Sequence, residues 1–160
     1  MTSKEEDPLD ESNEEPNQDS VWYQLLRANK EQLFHEISQA QLQQLSPTAL
    51  AYLGDAVYEL YVRMFYLLPP KRPETYHHLV VAQVRAETQA KMLQSLHPHL
   101  KNSELEIVRR GRNAATGRPK RLDLGTYQQA TSLETLIGYL YLTDIHRLTE
   151  LLQKLHLEKL

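Results

Sequence analysis

The sequence predicts an all-α protein of about six or seven helices. Three observations carry this expectation. Apolar residues recur at steps of three and four through most of the chain beyond residue 20. Stretches that alternate with period two are few, and β-branched clusters are scarce. Serine caps and proline stops divide the chain into lengths that suit helices.

Residues 1–20 are acidic and polar with almost nothing to bury, which predicts a disordered tail. Residues 21–160 are expected to form the single folded domain. Val21 to about Leu33 carries Trp22, Tyr23, Leu25, Leu26 and Leu33, an amphipathic helix. Ser38 to Leu45 reads as a short helix. Ser46 to Met64 follows, with Ser46 as N-cap and Pro47 in the first turn, where its missing N–H costs nothing. Its apolar stripe runs Leu50, Leu53, Val57, Leu60 and Met64, and this helix is expected to organise the rest. Pro69-Pro70 ends it. Glu74 to Leu96 predicts one helix with Leu79, Ala82, Val84, Ala86, Ala90 and Leu93 buried, stopped at His97-Pro98. Ser103 to Glu106 has capping-box spacing, so a helix should run from there to about Arg110 or Asn113. Gly117 and Pro119 mark a loop. Tyr127 to Thr143 and Asp144 to Leu155 complete the set, Asp144 serving as N-cap.

The composition narrows the function. No apolar run approaches the roughly 18 residues that span a membrane. The N-terminus resembles neither a signal nor a transit peptide. The absence of cysteine excludes disulfides and thiolate-bound zinc and suits the cytoplasm. The net charge of −3 hides a segregation. Residues 1–20 hold eight acids against Lys4 alone, so the remainder is net basic.

Two acids stand in unfavourable places. Asp55 follows Gly54 inside the long helix, flanked by Leu53, Ala56 and Val57. Glu134 lies between Leu133 and Leu136-Ile137, with Gly138 one turn on. Glycine in a helix interior costs about 1 kcal/mol relative to alanine. A carboxylate among apolar groups is costly unless it is met by a cation or hydrogen bonds. If the two helices pack face to face, Asp55 and Glu134 meet, and they then either share a proton or bind a cation. Oxygen ligands favour Mg²⁺ or Mn²⁺. His77, His78, His97 and His99 lack metal-ligand spacing, and no Ser/His/Asp set or Gly-rich phosphate loop is present.

Between Lys101 and Arg121 stand seven basic residues against two acids. They are densest at Arg109-Arg110-Gly111-Arg112-Asn113 and Arg118-Pro119-Lys120-Arg121, read as a projecting loop. Such density suits phosphate oxygens, and it leads directly into the helix bearing Glu134. Arginines that hold a polyanion beside a metal-binding acid pair are what phosphodiester cleavage requires.

Leu53-Gly54-Asp55-Ala56-Val57 resembles the signature helix of the ribonuclease III family, and Leu133-Glu134-Thr135-Leu136-Ile137-Gly138 its second acidic motif. Val108 to Ala114 and Tyr127 to Tyr139 resemble the Mini-ribonuclease III branch more narrowly. The resemblance covers about Leu45 to the C-terminus. It implies an all-helical, homodimeric, Mg²⁺-dependent endonuclease (Mn²⁺ as substitute) that cleaves double-stranded RNA to 5′-phosphate ends. It further implies no separate double-stranded-RNA-binding domain, a dimer surface involving the signature helix, and maturation of precursor 23S ribosomal RNA. Asp55 and Glu134 take the catalytic and metal-binding roles. Arg109, Arg110, Arg112, Asn113, Lys120 and Arg121 are assigned to the RNA. Three acids of the larger family are replaced here by Thr48, Ala51 and Thr131, which leaves fewer direct ligands and more coordinated water. The competing readings are a non-catalytic RNA-binding or ribosome-associated factor on the same fold, and a helical adaptor with no RNA affinity.

Overall fold

Ser46 begins the long helix as its sequence requires, its Oγ accepting from the Ala49 N–H at 3.0 Å. The structure, a computed structural model, describes residues 23–24, 27–28, 36–117 and 119–157. The acidic segment 1–20, most of the helix expected over 21–33, and Arg118 lie outside the described residues. Among those described, seven helices and no strand are found: α1 Gln39–Gln44, α2 Pro47–Tyr66, α3 Pro73–Val84, α4 Ala86–Leu96, α5 Asn102–Ala114, α6 Leu124–Thr143 and α7 Ile145–Gln153. A 3₁₀ turn, His97–His99, joins α4 to α5. No described helix is long and apolar enough to cross a membrane.

The expected caps at Ser46 and Asp144 are present, with Asp144 accepting from the Arg147 N–H at 3.0 Å, and Ser38 caps α1 as well. Other boundaries moved. Helix α6 starts three residues before Tyr127, because Asp123 caps it by accepting from the Thr126 N–H. Helix α5 starts at Asn102, since Glu104, rather than Glu106, closes the capping bond by accepting from the Lys101 N–H at 2.9 Å. It runs on to Ala114, so Arg109, Arg110, Arg112 and Asn113 are helical and not on a projecting loop.

The single helix expected from Glu74 to Leu96 is two. Arg85 is extended (φ −68°, ψ 152°), and tertiary partners take the carbonyls freed there. The buried Tyr58 hydroxyl donates to the Gln83 carbonyl at 3.1 Å, and Thr88 donates to that of Ala82 at 2.6 Å. This break turns α4, and Gln83 and Gln89 are buried beside Ala90 and Leu93, while Leu79, Ala82, Val84 and Ala86 are only half-buried.

The hub is α6 rather than α2. It packs against α2, α4, α5 and α7, with Leu133, Leu136, Ile137, Leu140 and Tyr141 in the core. Helix α2 meets it with Leu50, Ala51, Gly54, Val57, Tyr58 and Val62, a stripe rotated from the expected one; Leu53, Leu60 and Met64 are half-buried. Full burial of one such side chain contributes about 1.5–3 kcal/mol. Helices α5 and α7 are joined by the buried Glu104–Arg147 pair at 2.8 Å, and Arg147 also donates to the His99 carbonyl at 2.7 Å. Tyr23 is buried against α7, its hydroxyl 2.7 Å from His146 Nε2.

Candidate active site

Two glycines set the geometry. A Cβ on Gly54 would collide with the Glu134 carbonyl, and one on Gly138 with the Leu50 carbonyl. Helices α2 and α6 therefore touch backbone to backbone, a separation that any side chain would prevent. The residue after Gly54 is Asp55, and the residue whose carbonyl Gly54 abuts is Glu134. The acids are thus neighbours because the helices are.

Their carboxyl groups lie close enough that each acts on the ionisation of the other. Asp55 lies at the exposed edge, not enclosed by its apolar sequence neighbours, while Glu134 sits deeper. Burial and then the Asp55 charge push the Glu134 carboxyl up to about 7, so it holds the shared proton and Asp55 accepts it. Partial burial, followed by Glu59 one turn on, raises Asp55 as well. Glu59 itself is paired with Arg63 at 2.8 Å.

The donor set suits a divalent cation. Two hard oxygen ligands already face one another at the cost of a retained proton, which a cation would displace. Among the described residues no group of three or more His, Asp or Glu side chains converges; Asp55 and Glu134 could offer a cation two carboxylates, with water or phosphate completing its shell. The histidines stand apart, with the His77 and His78 rings 6.2 Å from each other on exposed α3.

Gln89 escaped the sequence reading. It is 1% exposed and its amide faces Glu134 from α4, favouring the ionised form of that carboxyl, while its Nε2 falls short of full hydrogen-bond geometry with any acceptor. Its signal was a polar residue in the apolar stripe Gln89–Leu93–Leu96.

Arg109, Arg110, Arg112, Asn113, Lys120 and Arg121 are all exposed. Gly111 turns to α6, where a Cβ would strike Thr135, and this aims the flanking Arg110 and Arg112 outward. Arg109 is held by Glu106 at 2.6 Å, an exposed pair weakened by solvent screening. Arg112 also borders a cavity of about 480 Å³ with His97, Gln94 and Gln128 on its walls.

A family model described as the ribonuclease III domain matches residues 48–144, which contain both acids and α2 to α6. The chain belongs to the ribonuclease III family. Within the ribonuclease III family it sides with a short branch. Mini-ribonuclease 3 of Synechocystis sp. is 60% identical over 116 residues, covering 72% of this chain and 81% of that protein. Mini-ribonuclease 3 of Synechococcus sp. is 60% identical over 119 residues, covering 74% of this chain and 86% of that protein. A crystal structure of a Fusobacterium nucleatum protein superposes with a TM-score of 0.65 at 28% identity, covering 70% of this chain and 92% of that one. The all-helical ribonuclease III architecture expected from the motifs is therefore the one observed.

Proposed function

We propose that this ribonuclease III-family protein is a double-strand-specific endoribonuclease whose catalytic and metal-binding pair is Asp55 and Glu134. The observation that carries this reading is the backbone contact of Gly54 with Glu134, which forces two acids into one site. They would hold Mg²⁺, or Mn²⁺ in its place, with water completing the shell. A divalent cation bound there supplies Lewis acidity for hydrolysis of a phosphodiester. Ionised, Asp55 and Glu134 are also positioned to accept a proton from an attacking water, and the site's exposed edge at Asp55 leaves room for a strand.

The exposed row of Arg110, Arg112, Asn113, Lys120 and Arg121, with Arg109, is the RNA-binding surface of this reading. A-form RNA is recognised mostly through phosphate and 2′-hydroxyl contacts, so base preference is modest. The protein works as a homodimer, one strand cut per protomer. Tyr52, 85% exposed on the same side of α2 as Asp55, supports a subunit contact there. The natural substrate is precursor 23S ribosomal RNA in the cytoplasm.

One assay tests the reading. A labelled RNA, single-stranded or annealed, is incubated with wild type or Asp55→Asn, with Mg²⁺ or with chelator. Cleavage of the duplex alone, lost on chelation and in the variant, is expected. Duplex binding without cutting, unaffected by Asp55→Asn, would instead favour the non-catalytic RNA-binding factor.

A further inference from the structure

A buried amide without a partner is a costly feature, and the fold places one at the acid pair. Gln89 projects from α4, is 1% exposed, and has an Nε2 that completes no hydrogen bond. Glutamine amides are satisfied in almost every protein interior, so this one requires an account. The carboxyl group it faces is that of Glu134, whose ionised form it favours and which Asp55 also engages. The break at Arg85 is what delivers it. Continued straight, α3 and α4 would form one helix; the extended Arg85, with Thr88 and Tyr58 holding the freed carbonyls, turns α4 so that Gln89 faces α6.

The geometry points to Gln89 as a positioning residue for a divalent cation: its buried amide is placed to hold the Glu134 carboxylate in the gap shared with Asp55. This rests on the metal-binding role proposed for the acids. In metal sites the ligand's own hydrogen-bond partner fixes its orientation, and losing that partner costs about 10–100-fold in affinity. Here the donor is an uncharged amide, which adds no competing charge.

The test uses the full chain and the metal alone. Mg²⁺ and Mn²⁺ binding are measured by calorimetry for wild type, Asp55→Asn, Gln89→Met and Gln89→Asn, and urea unfolding is followed for each in chelator. Gln89→Met keeps the shape and removes the donor; Gln89→Asn keeps the amide but withdraws it by one methylene. The expected result is a tenfold or greater loss of Mg²⁺ affinity in both, with stability in chelator equal to or above wild type for Gln89→Met. Unchanged affinity in either folded variant overturns the proposal while leaving the acid pair intact, provided Asp55→Asn still abolishes binding. Marked loss of stability in chelator, or failure of both variants to fold, overturns it in favour of a structural role. If wild type binds no divalent cation, the acid-pair reading and this inference fall together.

Discussion

Gly54 lies against the main-chain carbonyl of Glu134, so the helix that carries Asp55 and the helix that carries Glu134 cross without a side chain between them. The distance between the two acids is therefore fixed by backbone contact and not by flexible side chains. That is the kind of rigid support a two-ligand site needs.

Gly54→Ala should disrupt both packing and site. Its methyl group would meet backbone, which cannot move aside, and overpacking of this sort costs about 1–3 kcal/mol, occasionally more. Urea unfolding should show at least that loss, with weaker Mg²⁺ binding in the fraction that folds. Gly117→Ala, with open space around its Cβ, should change stability by less than about 0.5 kcal/mol.

The raised Glu134 carboxyl makes the metal-free protein less stable as pH rises. Its folded value is about 7 against an ordinary 4.5, so the folded form binds the extra proton between those values. Stability is then highest below pH 4.5 for this group and falls as pH climbs through 7. Glu134→Gln should remove that slope and, at pH 8 in chelator, stabilise the protein by on the order of 2 kcal/mol. Urea unfolding from pH 5 to 8, with and without Mg²⁺, measures it; a parallel slope in the variant would contradict the shared proton.

Substituting the outward arginines should act on affinity and salt dependence, not on metal binding. Arg110→Ala and Arg112→Ala should each weaken duplex RNA binding to a similar degree across sequences and flatten the slope of log K against log salt by about 1. Titrations at several KCl concentrations read this directly. Slopes equal to wild type in both single and combined variants would remove α5 from the RNA surface.

The Glu104–Arg147 pair ties α5, and with it the basic row, to α7. Glu104 is 3% exposed; burial alone would raise its carboxyl, but Arg147 and the Lys101 N–H together hold it below the ordinary value. Its contribution is therefore present above the unfolded value and lost as pH falls through the depressed folded one. Arg147→Met leaves a buried charge alone and should cost about 3–5 kcal/mol at pH 7, less in acid. Thermal unfolding at pH 7 and pH 4 checks both magnitude and direction.

Local chemistry made much of this protein legible. Ser46 and Asp144 announced helix starts because a capping oxygen acts within one turn. Asp55 and Glu134 stood out because each violates the preference of its own surroundings, beside a glycine with no local reason to be there. The motifs at those positions carried the family, and the match over residues 48–144 agrees.

What the chain could not announce depended on partners distant in sequence. The break at Arg85 is supported by the Tyr58 hydroxyl, 25 residues away from the carbonyl it takes, as well as by Thr88 nearby. The role of Gln89 follows from that turn, and so was invisible without it. Helix α6 is central because four other helices surround it, a fact of packing that its own period does not reveal. Residue types and their spacing thus determined which helices form and which acids are out of place. Only the tertiary structure decided that those acids meet and that a buried amide faces one of them, because each of these is a relation between surfaces joined by folding.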